Sequence, residues 1–300
     1  MKSSQQDIRL TTSVLIGVLI IVSLVVISVG VNSVDINGYS SIVCCALIAF
    51  GIQFLAWIPA SLRQTEKFYD ITGGLTYLAV IVFSLWAGAQ TESPSPRELI
   101  ISILVAIWAL RLSSFLFLRI HRAGKDGRFD DLKTSPIRFL VPWTLQGLWV
   151  FLTVNVVIVI NSQSGQAPPL GIWDVIGLTV WFLGFFIEVI ADYQKTSFNG
   201  KLENQGRWID SGLWSLSRHP NYLGEILIWS GIACFGVSCF TGFEMLAWIS
   251  PIFVYFLLTK ISGVPILDKR SLEKWESNPE FMEYRAKTPA LFPRIRFSKK

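Results

Sequence analysis

TTSVLIGVLIIVSLVVISVGV, residues 11–31, carries no charged side chain over a length that crosses a bilayer core as a helix. Comparable apolar runs recur near 41–60, 71–89, 99–118, 139–160, 172–191, 222–240 and 243–260. In lipid the backbone must satisfy its own hydrogen bonds, so runs of this kind fold as helices. The sequence therefore predicts an all-α, polytopic transmembrane helix bundle of about eight spans. The third run contains Gly73 and Gly74, and the last two meet at a tight turn, Thr241-Gly242, as a hairpin. The first run is too long for a signal-peptide core and lacks a small-residue cleavage site, so it reads as the first span.

Charge gives the orientation. Residues 119–138 hold Arg119, Arg122, Lys125, Arg128, Lys133 and Arg138, and residues 192–220 hold Lys195, Lys201, Arg207 and Arg218. Residues 32–40 and 161–171 hold no Lys or Arg, and 90–98 holds only Arg97. Basic and non-basic connections alternate, which places both termini in the cytoplasm by the positive-inside rule. The net charge of +5 resides in these connections and does not point to nucleic acid. Charged residues make up 16% of the chain, against about 25% in soluble proteins. Mean hydropathy is +0.50, which excludes an ordinary soluble domain.

Cys44, Cys45, Cys234 and Cys239 lie inside apolar runs without Cys-x-x-Cys spacing, and both His lie in basic loops. The cysteines read as small apolar residues, and no metal site is expected. The tail 264–300 interleaves Trp275, Phe281, Tyr284, Phe292 and Phe297 with polar residues. Disordered tails lack such aromatics, so a short helix and a docked loop are expected.

Ionisable residues at membrane depth are costly and mark function by default. Glu188 and Asp192 share a helix face four residues apart, and Lys195 and Asn199 continue it. Such carboxylates can accept hydrogen bonds from ribose or amide groups; Lys195 alone reads as a salt-bridged helix end. The second group is Ser217-Arg218-His219-Pro220-Asn221-Tyr222-Leu223-Gly224-Glu225. Pro220 fits a first helical turn, Asn221 and Glu225 then share a face, and Arg218 and His219 precede a helix N-terminus that favours an anion. The third group holds Asp268, Lys269 and Arg270, followed by Tyr284-Arg285. Lys269 and Arg270 can pair phosphates, whereas Lys299 and Lys300 read as a patch for anionic lipid. Arg111, inside an apolar run, requires an anionic partner. Glu66 and Asp70 are also four apart; Glu66 reads as a surface partner of Arg63 and Lys67, and Asp70 as the functional candidate.

The nine-residue string at 217–225, Ala191-Asp192-x-Gln194-Lys195 and Ser262-Gly-Val-Pro-Ile-Leu-Asp268-Lys269-Arg270 resemble a mostly bacterial membrane family. That family is related to the C-terminal domain of steroid 5α-reductases. The resemblance extends to Tyr69-Asp70-Ile-Thr-Gly and Trp108-Ala-Leu-Arg111, covering roughly residues 60–296. It implies N-terminal transmembrane helices over 1–63 and a reductase-like membrane domain with a docked cytoplasmic tail over 64–300. It also implies a bacterial inner membrane, or the endoplasmic reticulum in a eukaryote.

By resemblance, Asn221 and Glu225 lie on the nicotinamide side of NADPH, with Tyr222 near the cofactor. Asp192 and Arg111 match an Asp and an Arg of the reductases. The steroid reductases carry a catalytic Tyr three residues before that Arg, where this chain has Trp108. An indole N–H donates a hydrogen bond but is no proton source. The expected activity is NADPH-dependent reduction of an activated C=C bond in a lipid-soluble substrate approaching from the lipid bilayer. Arg218, Lys269 and Arg270 would bind phosphates, and Asp70 or Trp108 would serve as donor at the substrate carbonyl. Two rivals are an S-adenosylmethionine-dependent methyltransferase of the isoprenylcysteine type, sharing Arg218-His219-Pro220-x-Tyr222-x-Gly224, and a non-enzymatic lipid-binding or transport protein. The absence of a visible internal repeat weighs against a transporter.

Overall fold

A computed structural model describes residues 2–163 and 168–293. The chain is about 74% helical with almost no sheet and belongs to the membrane-spanning class. The helices are α1 (Lys2–Val29), α2 (Ser41–Leu62), α3 (Tyr69–Gly88), α4 (Pro96–Ala123), α5 (Pro136–Thr153), α6 (Asn155–Asn161), α7 (Ile172–Asn199), α8 (Pro220–Phe235), α9 (Ile249–Phe256), α10 (Val264–Trp275) and α11 (Pro279–Lys287). Among the described residues, six helical stretches are long and apolar enough to cross a bilayer, and a seventh if α5 and α6 count as one span. Seven of the eight expected runs map onto these stretches or the bent pair, and the run 222–240 forms only the shorter helix α8.

The run 139–160 is broken: α5 and α6 meet at Val154 with a 52° bend. The last pair is no simple hairpin either. Its first leg, α8, has 16 residues. Its second leg begins as a 3-10 turn, Gly242–Trp248, becomes α9, and passes through a π turn, Leu257–Ile261, into α10. Gly242 turns the chain at φ +52°, and Glu244 closes a capping box on Thr241. Pro251, which lacks an N–H, sits where the 3-10 turn gives way to α9.

The chain divides into two compact units: residues up to Gly171 with Phe235–Ser250, and Ile172–Cys234 with Pro251 onward. In the first unit Trp108, Trp143, Phe139 and Phe151 are fully buried. Gly73 and Gly74 are close-approach points of α3: a β-carbon there would stand 2.6 Å from Gln146 Nε2 and 2.3 Å from Ser113 Oγ. Polar side chains are tied across helices, Gln53 Nε2 to Thr76 Oγ1 at 2.8 Å and Asn161 Nδ2 to both Ser84 and Ser102 at 3.0 Å. Residues 32–40 form a short antiparallel hairpin, Asp35–Ile36 with Tyr39–Ser40. Asn37 and Gly38, at φ +53° and +87°, supply the two left-handed residues that such a turn requires.

In the second unit α7 and α8 run backbone against backbone. A β-carbon on Gly184 would lie 2.6 Å from the Gly224 carbonyl, and one on Gly231 would lie 2.7 Å from the Gly177 carbonyl. The heptad spacing 177/184 on one helix answers 224/231 on the other, the small-residue contact by which membrane helices approach closely. The start of the tail packs through aromatic rings. Trp208, Trp275 and Phe281 form a three-ring cluster, and Trp275 Nε1 donates to the Gly206 carbonyl at 2.7 Å. Lys299, Lys300 and Phe297 lie outside the described residues.

Candidate functional site

The α7–α8 contact brings several of the expected residues into one seam. A β-carbon at Gly224 would stand 2.7 Å from the Glu188 backbone nitrogen, so Glu188 faces the first turn of α8, which carries Asn221. Asp192 lies one turn further along α7. Glu188, Asp192 and Glu225 are all buried, and Asn221 is half-buried.

Beside this seam the loop before α8 meets the tail at one carboxylate. Asp268 accepts from Arg218 Nη1 at 2.9 Å and lies 3.3 Å from His219 Nε2, while Arg285 Nη2 approaches its second oxygen at 3.2 Å. The loop is fixed by its backbone: Arg218 N donates to the Pro289 carbonyl at 2.9 Å and Ser217 Oγ to the Ala290 carbonyl at 3.3 Å. Tyr284 OH donates to the Trp214 carbonyl, and Trp214 Nε1 to the Ala191 carbonyl. Lys195 Nζ sits 4.6 Å from the centre of the Trp214 ring. The His219 ring stacks on Tyr222 at 5.5 Å, and Tyr222 rests on Gly263, where a β-carbon would come within 2.9 Å of its ring.

Two arginines on one carboxylate leave an excess positive charge. Arg218 Nε and Arg285 Nη1 are buried and have no hydrogen-bond partner among the described residues. Guanidinium N–H groups of this kind match phosphate oxygens in geometry and sign, so the donor set fits a phosphorylated cofactor. Sequence reading names Arg285 beside Tyr284 but gives it no role; the fold turns it onto Asp268. Lys269 is exposed, 3.9 Å from Glu273, and Arg270 and Asn199 are exposed as well.

Burial lowers the pKa of His219, against the opposing pull of Asp268. The sign for stability follows. A histidine harder to protonate folded than unfolded contributes nothing above its unfolded pKa, near 6.5, and costs stability as pH falls through that value toward the folded pKa. The melting temperature should therefore drop between pH 7.5 and 5.5, and the drop should shrink in His219→Gln; an equal slope in both proteins contradicts the assignment.

Asp70, Trp108 and Arg111 belong to the first unit. Asp70 occupies the first turn of α3, with Arg128 and Arg119 as charged neighbours. Trp108 is buried, with its ring edge-on to Tyr77 at 5.2 Å. The Arg111 guanidinium lies 5.6 Å from the Phe115 ring centre. Glu66 departs from its expected surface pairing with Arg63 and Lys67. It is buried, accepting from Asp126 N and Lys133 Nζ, both at 2.9 Å. Burial raises its pKa, but these bonds outweigh burial and hold the carboxyl below its ordinary value. The partners come from a loop some 60 residues downstream, beyond the reach of a local pattern. Among the described residues, no three His, Cys, Asp or Glu side chains converge as a metal-binding group.

The family model described as "Protein of unknown function (DUF1295)" matches residues 56–288. An uncharacterized protein of Schizosaccharomyces pombe is 24% identical over 281 residues, covering 83% of this chain and 78% of that protein. The Delta(14)-sterol reductase of Arabidopsis thaliana is 24% identical over 197 residues, 60% of this chain, and the match spans about half of the plant protein (48%). Both relatives are eukaryotic and lend no support to a bacterial inner membrane. No solved structure matches the chain.

Proposed function

The chain belongs to the family described as DUF1295, a steroid 5α-reductase-like family, and on that premise we propose that it is a membrane-embedded reductase of lipid-soluble substrates that uses NADPH. The observation that carries this reading is the Arg218–Asp268–Arg285 cluster beside the α7–α8 seam, with buried guanidinium N–H groups available to phosphate. The similarity to a sterol reductase supports the substrate class.

Arg218 and Arg285 would bind cofactor phosphate, with Lys195 adding positive charge and Lys269 and Arg270 supplementing from the surface. Asp268 positions both arginines. Glu188 and Asp192 on α7, and Asn221, Tyr222 and Glu225 on α8, would hold the ribose and nicotinamide amide through hydrogen bonds. NADPH supplies a hydride for the β-carbon of an enone or enoyl group.

Titrating NADPH into detergent-purified protein, read by tryptophan fluorescence, should give saturable binding. Glu225→Gln and Asn221→Ala should each weaken it roughly tenfold or more, the loss of about 1.4 kcal/mol or more. Unchanged affinity in both variants, or quenching by S-adenosylmethionine in place of NADPH, removes the proposal in favour of the methyltransferase reading.

A further inference from the structure

The roles given above leave His219 without a task, although it lies inside the arginine cluster. Its Nε2 is 3.3 Å from Asp268 Oδ1, the same oxygen that accepts from Arg218 Nη1 at 2.9 Å. Arg285 Nη2 stands 3.2 Å from the other oxygen. A carboxylate held by two guanidinium groups can only accept, so His219 Nε2 carries the hydrogen and Nδ1 is the base. One face of the ring lies on Tyr222, nearly parallel at 10° and 5.5 Å between centres. An aromatic face at that distance attracts a cation, so the stack also suits an imidazolium. These residues all belong to the second unit.

The surroundings keep this ring neutral. Burial disfavours the imidazolium most, Asp268 on α10 favours it, and Lys195 on α7 and Arg218 beside the ring oppose it again. Those last two are cations, whose repulsion an incoming anion offsets. Arg218 Nε and Arg285 Nη1 are the buried guanidinium nitrogens without a partner among the described residues. An anion bound to them sits on groups that share one carboxylate with His219. A nearby opposite charge favours the charged form of a titrating group, and more so where water screens poorly.

We propose that the Arg218–Arg285 site takes a doubly charged anion, a terminal phosphate or its sulfate analogue, and that His219 takes up a proton as the anion binds. The proton comes from solvent, enters at Nδ1 and returns to solvent when the anion leaves. The linkage is reciprocal: a bound dianion makes His219 easier to protonate, and a protonated His219 tightens the dianion by the same factor. His219 is thereby a specificity-determining residue. A phosphate monoester, with its second charge, gains more from an imidazolium than a singly charged diester does. The inference rests on the reductase reading only for the identity of the natural anion, a cofactor phosphate.

The chain has two histidines, His121 and His219, so ring-labelled histidine gives two resonances, assigned with His121→Gln. The full chain is titrated in nanodiscs at constant ionic strength, with and without sulfate, a dianion that gains no proton between pH 7.5 and 5.5. Sulfate should raise the midpoint of the His219 resonance by about half a unit to one unit, and its affinity should rise by up to the matching factor, about three- to tenfold, from pH 7.5 to 5.5. The resonance of His121, an exposed ring of the first unit, should not respond to sulfate. Arg285→Gln keeps His219 and should lose most of the sulfate effect, and His219→Gln should flatten the pH dependence of sulfate affinity. A His219 midpoint that sulfate leaves in place, or an equal shift in Arg285→Gln, overturns the proposal. NADPH is the second probe and should move the His219 midpoint in the same direction. If sulfate moves it but NADPH does not bind, the reductase reading fails and the proton-coupled site stands. If NADPH binds but neither anion moves it, the proton coupling fails and the reductase reading stands.

Discussion

Replacing Gly224 with leucine is expected to abolish recovery of a monodisperse protein from detergent, and replacing it with alanine to lower the melting temperature by on the order of 5 °C. At Gly224 a β-carbon would stand 2.7 Å from the Glu188 nitrogen and the Gly184 carbonyl, and 2.8 Å from the Glu188 β-carbon. Backbone atoms of a packed helix cannot rotate aside as a flexible side chain does, so α7 and α8 must separate to admit even one methyl. Overpacking of this kind costs about 1–3 kcal/mol, and a domain of this size loses about 2–4 °C per kcal/mol. The same separation would pull Glu188 away from the turn that carries Asn221, so the alanine variant should lose NADPH affinity more than stability alone explains. Gly51 and Gly17 provide the control. They lie in α2 and α1, and an added methyl there would meet none of the described residues within 4 Å, so alanine should leave melting unchanged or slightly raised. If Gly224→Ala melts with Gly51→Ala, the helix contact is not what holds this unit together.

What the sequence showed of this fold depended on how far each signal reached along the chain. The spans were legible because lipid leaves a backbone few choices, and α2, α3, α4 and α7 lie where the apolar runs placed them. The break at Val154 was not legible. No proline or glycine marks Val154, and the interruption shows in what binds the freed carbonyl, a serine almost a hundred residues on. The hairpin at 35–40 had a local signal, Asn37-Gly38, which a reading focused on membrane spans passed over. The site divides in the same way. Asn221, Glu225 and Asp192 stood out as candidates because carboxylates and amides in apolar runs are conspicuous. Arg285 did not: an arginine in a polar tail is ordinary until its partner, Asp268 on another helix, is known. Glu66 misled for the same reason, since basic residues near it in sequence masked Lys133.

Asp268→Asn is expected to be among the most destabilising single exchanges in the second unit, and to be rescued in part by phosphate. The carboxylate faces Arg218, Arg285 and His219, whose side chains are 14%, 25% and 7% exposed, so water screens the cluster poorly. Removing one partner of a buried ion pair costs about 3–5 kcal/mol, because the remaining charge keeps its desolvation penalty without its counter-ion. Here two guanidinium groups would be left facing each other. Arg218 anchors the loop before α8 to the tail, and Arg285 belongs to α11, so limited proteolysis should open the tail and release it faster than in the wild-type chain. The double variant Asp268→Asn with Arg285→Gln removes one of the two stranded cations, and should melt higher than Asp268→Asn alone. That non-additivity is the signature of a shared carboxylate. Inorganic phosphate in the millimolar range should raise the melting temperature of Asp268→Asn by more than that of the wild-type chain, since an anion can occupy the position the carboxylate has vacated. Equal response to phosphate in both proteins would mean that the arginines do not form an anion site, and Asp268 would then be a tail anchor alone.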